Sequence, residues 1–115
     1  MSRCIRLLAL ACAAVLLTGC GSSGGSSSTT QHIHITVKGD TVTPTNKKIS
    51  VPLKKPITLT IDADAPGELH LHSSPEQHIE FAKGTTTKKI TLKVPGVVEL
   101  EDHATDTLIA QLEVK

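Results

Sequence analysis

All six histidines of this 115-residue chain lie beyond residue 31, and four of them form two His-x-His pairs, His32/His34 and His70/His72. On a β-strand, residues i and i+2 project from one face, so each pair can offer two imidazoles to one ion. The second pair stands in the run Glu68-Leu69-His70-Leu71-His72, which puts Glu68 on the same face, and Glu76 and His78 follow shortly after. A further cluster, Glu99-Leu100-Glu101-Asp102-His103, places Glu99 and Glu101 opposite Leu100 and ends in a histidine. Imidazole nitrogen with carboxylate oxygen is a shell that suits Cu(II), Zn(II) or iron as Fe(II). The expected ligands for one divalent ion are therefore His70, His72 and His103 with Glu68, Glu99 and Glu101. The same residues also read as ion pairs on a solvated rim with no metal. His32 and His34, next to a Gly/Ser-rich stretch, read as solvated surface.

Several other chemistries are excluded. The three cysteines are Cys4, Cys12 and Cys20, all ahead of the strand-forming region, so that region holds no thiol for a disulfide, a zinc–sulfur site or a nucleophile. With no Met beyond Met1 there is no soft ligand for Cu(I). Ser73 and Ser74 follow His72 directly, but neighbours on a strand face opposite ways and no nucleophile elbow surrounds them. Phosphate-cradling glycine loops are absent as well. Catalysis is not expected. Beyond Arg3 and Arg6 the chain has ten Lys and no Arg against eleven acids, and its one aromatic residue is Phe81. Guanidinium forks and stacking platforms are both missing, which argues against nucleic acid as a partner.

The amino terminus is a targeting segment. Arg3 and Arg6 precede the apolar run Leu7 to Leu17, which is too short for the roughly 20 residues of a membrane-spanning helix. The junction Leu17-Thr18-Gly19-Cys20 resembles the lipobox of bacterial lipoproteins. That resemblance implies a signal peptide over residues 1–19, cleavage before Cys20, acylation of Cys20 with palmitate-type chains, and a protein held on the extracytoplasmic side of the cell membrane, in the periplasmic or cell-envelope space. Two or three acyl chains anchor stably where one does not. Residues 20–31 then form the lipidated cysteine and a Gly/Ser/Thr tether, whose reach from random-coil scaling is roughly 17–20 Å.

From residue 32 to 115 the apolar period is two. The sets are Ile33-Ile35-Val37, Ile49-Val51-Leu53, Ile57-Leu59-Ile61, Leu69-Leu71, Ile79-Phe81, Ile90-Leu92-Val94, Val98-Leu100 and Leu108-Ala110-Leu112-Val114. Gly39-Asp40, Lys55-Pro56, Ala65-Pro66-Gly67, Ser74-Pro75, Lys83-Gly84 and Pro95-Gly96 separate them. About eight short strands at this spacing predict one all-β sandwich or barrel domain over 32–115.

The strand count, His70 near mid-chain, and the ending Pro95 to His103 before a terminal strand together resemble a cupredoxin domain. The resemblance implies a Greek-key β-sandwich. It aligns His70 with the early histidine ligand of blue-copper members and His103 with their loop histidine. The thiolate position falls near Asp102 and the methionine position near Leu108 or Ile109, so two of the four ligands are missing and no blue-copper site is implied. The chain is also similar to small cupredoxin-like domains of envelope lipoproteins related to periplasmic iron-uptake (EfeO-type) proteins. These often carry a Glu-x-His-x-His strand and an acidic segment ending in His. The spacing His70-x-His72-x-x-x-Glu76 also matches the first cupin motif, but the flanking glycine spacings depart from it and no second motif follows.

Three function classes fit: a lipid-anchored protein that binds or delivers a divalent metal ion at the envelope, a metal-free β-sandwich interaction module for an envelope protein partner, and a cupin-type metal enzyme. The spatial relation of the two clusters discriminates the first from the second. Imidazoles farther apart than roughly 10 Å cannot share an ion whose bonds to nitrogen are about 2 Å.

Overall fold

The computed structural model describes residues 30–115. The signal segment 1–19, Cys20 and nearly all of the tether lie outside the described residues. Nine strands are formed: β1 (Gln31–Lys38), β2 (Thr41–Thr43), β3 (Lys47–Val51), β4 (Pro56–Ala63), β5 (Gly67–Leu71), β6 (Gln77–Phe81), β7 (Gly84–Thr91), β8 (Gly96–Asp102) and β9 (Thr107–Val114). There is no helix among the described residues.

The strands divide into a four-stranded sheet ordered β2-β1-β4-β7 and a five-stranded sheet ordered β3-β9-β8-β5-β6. Pairs β1/β4 and β3/β9 are parallel, and the others are antiparallel. Because β3, β4, β5, β7 and β8 each begin in the sheet opposite to the strand before them, the chain crosses repeatedly between layers and closes a Greek-key sandwich.

The period-two pattern accounts for the core. Ile33, Ile35, Val37, Ile57, Leu59, Ile61 and Ile90 of one sheet face Leu69, Leu71, Ile79, Phe81, Leu100 and Leu112 of the other, all buried. Burying such side chains contributes about 1.5–3 kcal/mol each before chain entropy is charged against them. At Gly67 the missing side chain is replaced by a neighbour's ring. Phe81, its register partner on β6, lies over the position a Cβ would take.

Three local expectations are corrected. A ninth strand, β2, exists because Thr41–Thr43 fold back on Thr36–Lys38 through Gly39, which adopts φ +56°. This three-residue element is too short to show a period. Strand β7 runs from Gly84 to Thr91 rather than to Val94, and Val94 is 53% exposed. Its hydrogen-bonding partner β4 begins at Pro56, opposite Thr91, and beyond that pair the Lys54 amide still donates to the Leu92 carbonyl at 2.8 Å. In β9 the alternation slips. Leu100 pairs with Ala110 while Glu101 pairs with Leu108, leaving Ile109 as an extra residue that turns into the core as Leu108 is displaced toward the surface. A bulge of this kind breaks a two-residue period by one step.

Candidate metal centre

The functional side chains sit on the outer face of the five-stranded sheet, and backbone register decides which of them meet. In β5 the buried Leu69 and Leu71 force Glu68 and His70 outward, with His72 following on the same side. Antiparallel pairing sets His70 directly between His78 of β6 and Glu101 of β8. Backbone bonds continue the β5/β8 contact at both ends. The His72 amide donates to the Glu99 carbonyl at 2.9 Å, and the His103 amide donates to the Glu68 carbonyl at 3.0 Å. His103, 33 residues further along the chain than His70, is thereby fixed beside Glu68.

Two groups result. In the first, His70 Nε2 donates to Glu68 Oε1 at 2.8 Å, and His78 Nδ1 donates to the same oxygen at 3.1 Å. The His103 ring stacks on His70 with centroids 4.3 Å apart and an interplanar angle of 27°, while His78 meets His70 in a T-shaped arrangement with centroids 4.4 Å apart. Glu68, His70 and His103 each present a ligand atom within 4.8 Å of the other two. In the second group, His72 Nε2 donates to Glu101 Oε2 at 2.9 Å. Glu99 projects from the same face, with Gln111 Nε2 3.4 Å from its Oε1. The His70 and His72 rings are 6.3 Å apart.

Asp102 is not part of this surface. It is 1% exposed, and its Oδ2 accepts hydrogen bonds from the Thr105 amide at 3.0 Å and the Thr105 hydroxyl at 2.7 Å. Thr107 Oγ1 lies 2.7 Å from the same hydroxyl, and Asp106 takes φ 51° to close the turn into β9. Asp102 thus staples the β8–β9 turn that carries His103. The resemblance aligns this position with a thiolate ligand, but here the carboxylate is consumed in holding the loop. Of Leu108 and Ile109, near which the resemblance puts the methionine ligand, Ile109 is fully buried and Leu108 half-buried.

The electrostatics follow these contacts. Glu68 is held below the usual carboxylate range, chiefly by the hydrogen bond from His78 and then by that from His70, against a smaller opposing effect of burial. The His72 imidazole is raised above its ordinary value by its bond to Glu101, opposed by desolvation and helped by the charges of Glu76 and Glu99. The face therefore combines carboxylate oxygens with imidazole nitrogens, the donors that divalent cations of borderline hardness favour.

The sequence singled out Glu68, His70, His72, His103, Glu99 and Glu101, and the fold places all six on one face but in two groups. It missed the position of His78 as a neighbour of His70. The signal was present in Gln77-His78-Ile79-Glu80-Phe81, whose alternation points His78 outward, but only the β5/β6 hairpin register places it opposite His70. Glu76 joins as well, with Oε1 3.9 Å from His70 Nδ1 and 3.8 Å from His78 Nε2. His32 and His34 belong to the opposite face of the sandwich, where His34 donates to Asp62 beside Thr85. Those contacts hold Asp62 below its ordinary value, the Thr85 hydroxyl contributing most. A groove of about 310 Å³ lined by Ser74, Pro75, Lys93, Val94 and Val98 includes none of the histidines of the His/Glu face.

No protein-family model matches this chain, and no curated protein matches it. Solved structures do. A methionine-to-alanine variant of amicyanin in its Cu(I) form aligns over 73% of this chain and 82% of its own length, with a TM-score of 0.54 and 10% identity. The fold is that of a cupredoxin. A chain of a heme-copper terminal oxidase dimer aligns over 78% of this chain and 68% of its own length, with a TM-score of 0.53 and 12% identity. A purple cupredoxin from Nitrosopumilus maritimus aligns at a TM-score of 0.49 and 14% identity, over 71% of this chain and 98% of its own. The cupredoxin-like domain described here keeps the two-sheet frame while presenting no thiolate or thioether, since no Cys follows Cys20 and no Met follows Met1.

Proposed function

We propose that this is a lipid-anchored envelope protein whose cupredoxin-like domain binds a divalent metal ion, Cu(II), Zn(II) or iron, and delivers it to an envelope protein partner. The observation that carries the reading is the juxtaposition of His70 on β5 and His103 on the β8–β9 turn with Glu68, all three ligand atoms lying within 4.8 Å of one another. With metal–ligand bonds of about 2.0–2.2 Å, donors in a tetrahedral site stand roughly 3.3 Å apart, so modest side-chain rotation closes the site. An ion there would replace the hydrogen bond between His70 Nε2 and Glu68 Oε1. The donor set supplies two nitrogens and one oxygen from the protein and leaves further positions to water, His78 or a receiving protein.

A blue-copper centre does not fit, because the position aligned with the thiolate is the buried loop staple Asp102. The role proposed is binding and handover rather than catalysis. Exposure of the site suits exchange: the His70 and Glu68 side chains are 18% and 29% accessible, and His103 is exposed. Likeness to small envelope domains with a Glu-x-His-x-His strand supports the same assignment, and the lipobox at Leu17 to Cys20 supports the anchor.

The test is calorimetric titration of the full chain in detergent with Cu(II), Zn(II) and Fe(II), with EPR for copper, beside His70→Ala and His103→Ala variants. Stoichiometric binding that falls at least about tenfold in either variant is expected, in line with loss of a ligand. Absent binding, or binding that both variants retain, overturns the assignment.

A further inference from the structure

The six residues that the sequence gathers into one ligand set are split by the sheet into two groups, each with its own imidazole and carboxylate. His70 Nε2 is committed to Glu68, alongside His103, whereas His72 Nε2 is committed to Glu101, one strand repeat further along β5. The backbone bond from the His72 amide to the Glu99 carbonyl places Glu99 directly across from His72, while Glu101 lies diagonal to it. His72, just past the end of β5, and Glu99 and Glu101 of β8 thus lie on the same outward face, with His72 in contact with Glu101. Glu99 has one long contact to Gln111, at 3.4 Å, to give up.

We infer that the second group, His72 with Glu101 and Glu99, is a separate divalent-cation site, so that one face of the domain holds two ions. This rests on the reading of Glu68, His70 and His103 as the first site. The two ions are separated by about one two-residue strand repeat, roughly 6.5–7 Å. At that distance two dications repel, and the four carboxylates of Glu68, Glu76, Glu99 and Glu101 offset the added charge. The second group has one nitrogen where the first has two, and it fills against the charge of the first ion. It therefore binds its ion more weakly than the first site does. Two adjacent sites of graded affinity on an exposed sheet face also provide a path along which an ion moves toward a partner.

The experiment is equilibrium dialysis of the full chain in detergent against Zn(II) or Cu(II), with bound metal counted by mass spectrometry, for the native chain and the His72→Ala, His103→Ala and doubly substituted variants. Circular dichroism checks that each variant is folded, and all the substituted side chains lie on the surface. Two ions per native chain, one in each single variant and none in the double variant are expected. The doubly Cu(II)-loaded native chain should also show a half-field EPR signal that neither single variant shows. One ion in the native chain, lost with His103→Ala and kept with His72→Ala, overturns the second site while leaving the proposed function standing. One ion lost in either single variant shows a single mixed site and also overturns it. No binding at all overturns both readings.

Discussion

Replacing Gly67 by alanine tests how the core holds the strand that carries Glu68 and His70. A Cβ at Gly67 falls 2.5 Å from Phe81 Cζ, 3.0 Å from Cε2 and 3.3 Å from Cε1. Ordinary contact between carbons begins near 3.5 Å, so the ring must retreat by about 1 Å. Phe81 is 6% exposed and closes the core at the end of the β5/β6 pair, which leaves it little room to move. The backbone at Gly67 does not lie at positive φ, so the cost is steric rather than conformational. Overpacking of this kind costs about 1–3 kcal/mol. For a domain of this size each kcal/mol lowers the melting temperature by about 4–8 °C, so the expected drop spans roughly 4–24 °C. The chain has no Trp and no Tyr, so the assay is scanning calorimetry or far-UV circular dichroism rather than intrinsic fluorescence. A double-mutant cycle identifies the cause. Phe81→Leu alone destabilises by loss of buried surface, but combined with Gly67→Ala it gives the new methyl group room, and the pair should be less destabilised than the sum of the single changes. A melting temperature unchanged within about 1 °C in Gly67→Ala, or strict additivity in the cycle, refutes the steric account.

Asp102→Ala removes the buried acceptor that holds the half-buried Thr105 amide and hydroxyl, a loss of about 1–3 kcal/mol measurable by calorimetry. Because the same turn positions His103, metal affinity measured on that variant should also fall although Asp102 is not a ligand. Glu101→Gln should bring the His72 titration, followed by NMR, back down toward its ordinary value. The folded His72 is raised above its unfolded value, so its stabilising contribution is fully present below about pH 6.5 and is lost as pH rises through the raised value, and Glu101→Gln should remove that dependence. For Glu68 the sign is opposite. Its contribution is present above the unfolded carboxylate range and is lost as pH falls through the lowered folded value, a window in which Glu68→Gln should flatten the acid limb of the melting curve. Cys20→Ser should abolish incorporation of labelled palmitate and move the protein from the membrane to the soluble fraction on ultracentrifugation, and retention in the membrane fraction would contradict lipid anchoring at that residue.

Much of the fold was legible because burial on one face of a strand imposes a two-residue period, and that period runs through Ile33 to Val37, Ile57 to Ile61 and Leu69 to Leu71 whatever their partners are. The same local rule put Glu68, His70 and His72 on one side of β5 and Glu99 and Glu101 on one side of β8. Elements too short or too irregular to hold a period escaped it, as in the three-residue β2 and the bulge at Ile109. What the residue order cannot encode locally is which strands lie side by side. The stacking of His103 on His70, the sharing of one Glu68 oxygen by His70 and His78, and the division of six expected ligands into two groups all depend on β5 pairing with both β6 and β8. That pairing is a property of two sheets closing over a common core, a non-local contact set by packing. Residue types and spacing thus determined that this protein carries nitrogen and oxygen donors on exposed strand faces, and only the tertiary structure decided which donors stand close enough to act on the same ion.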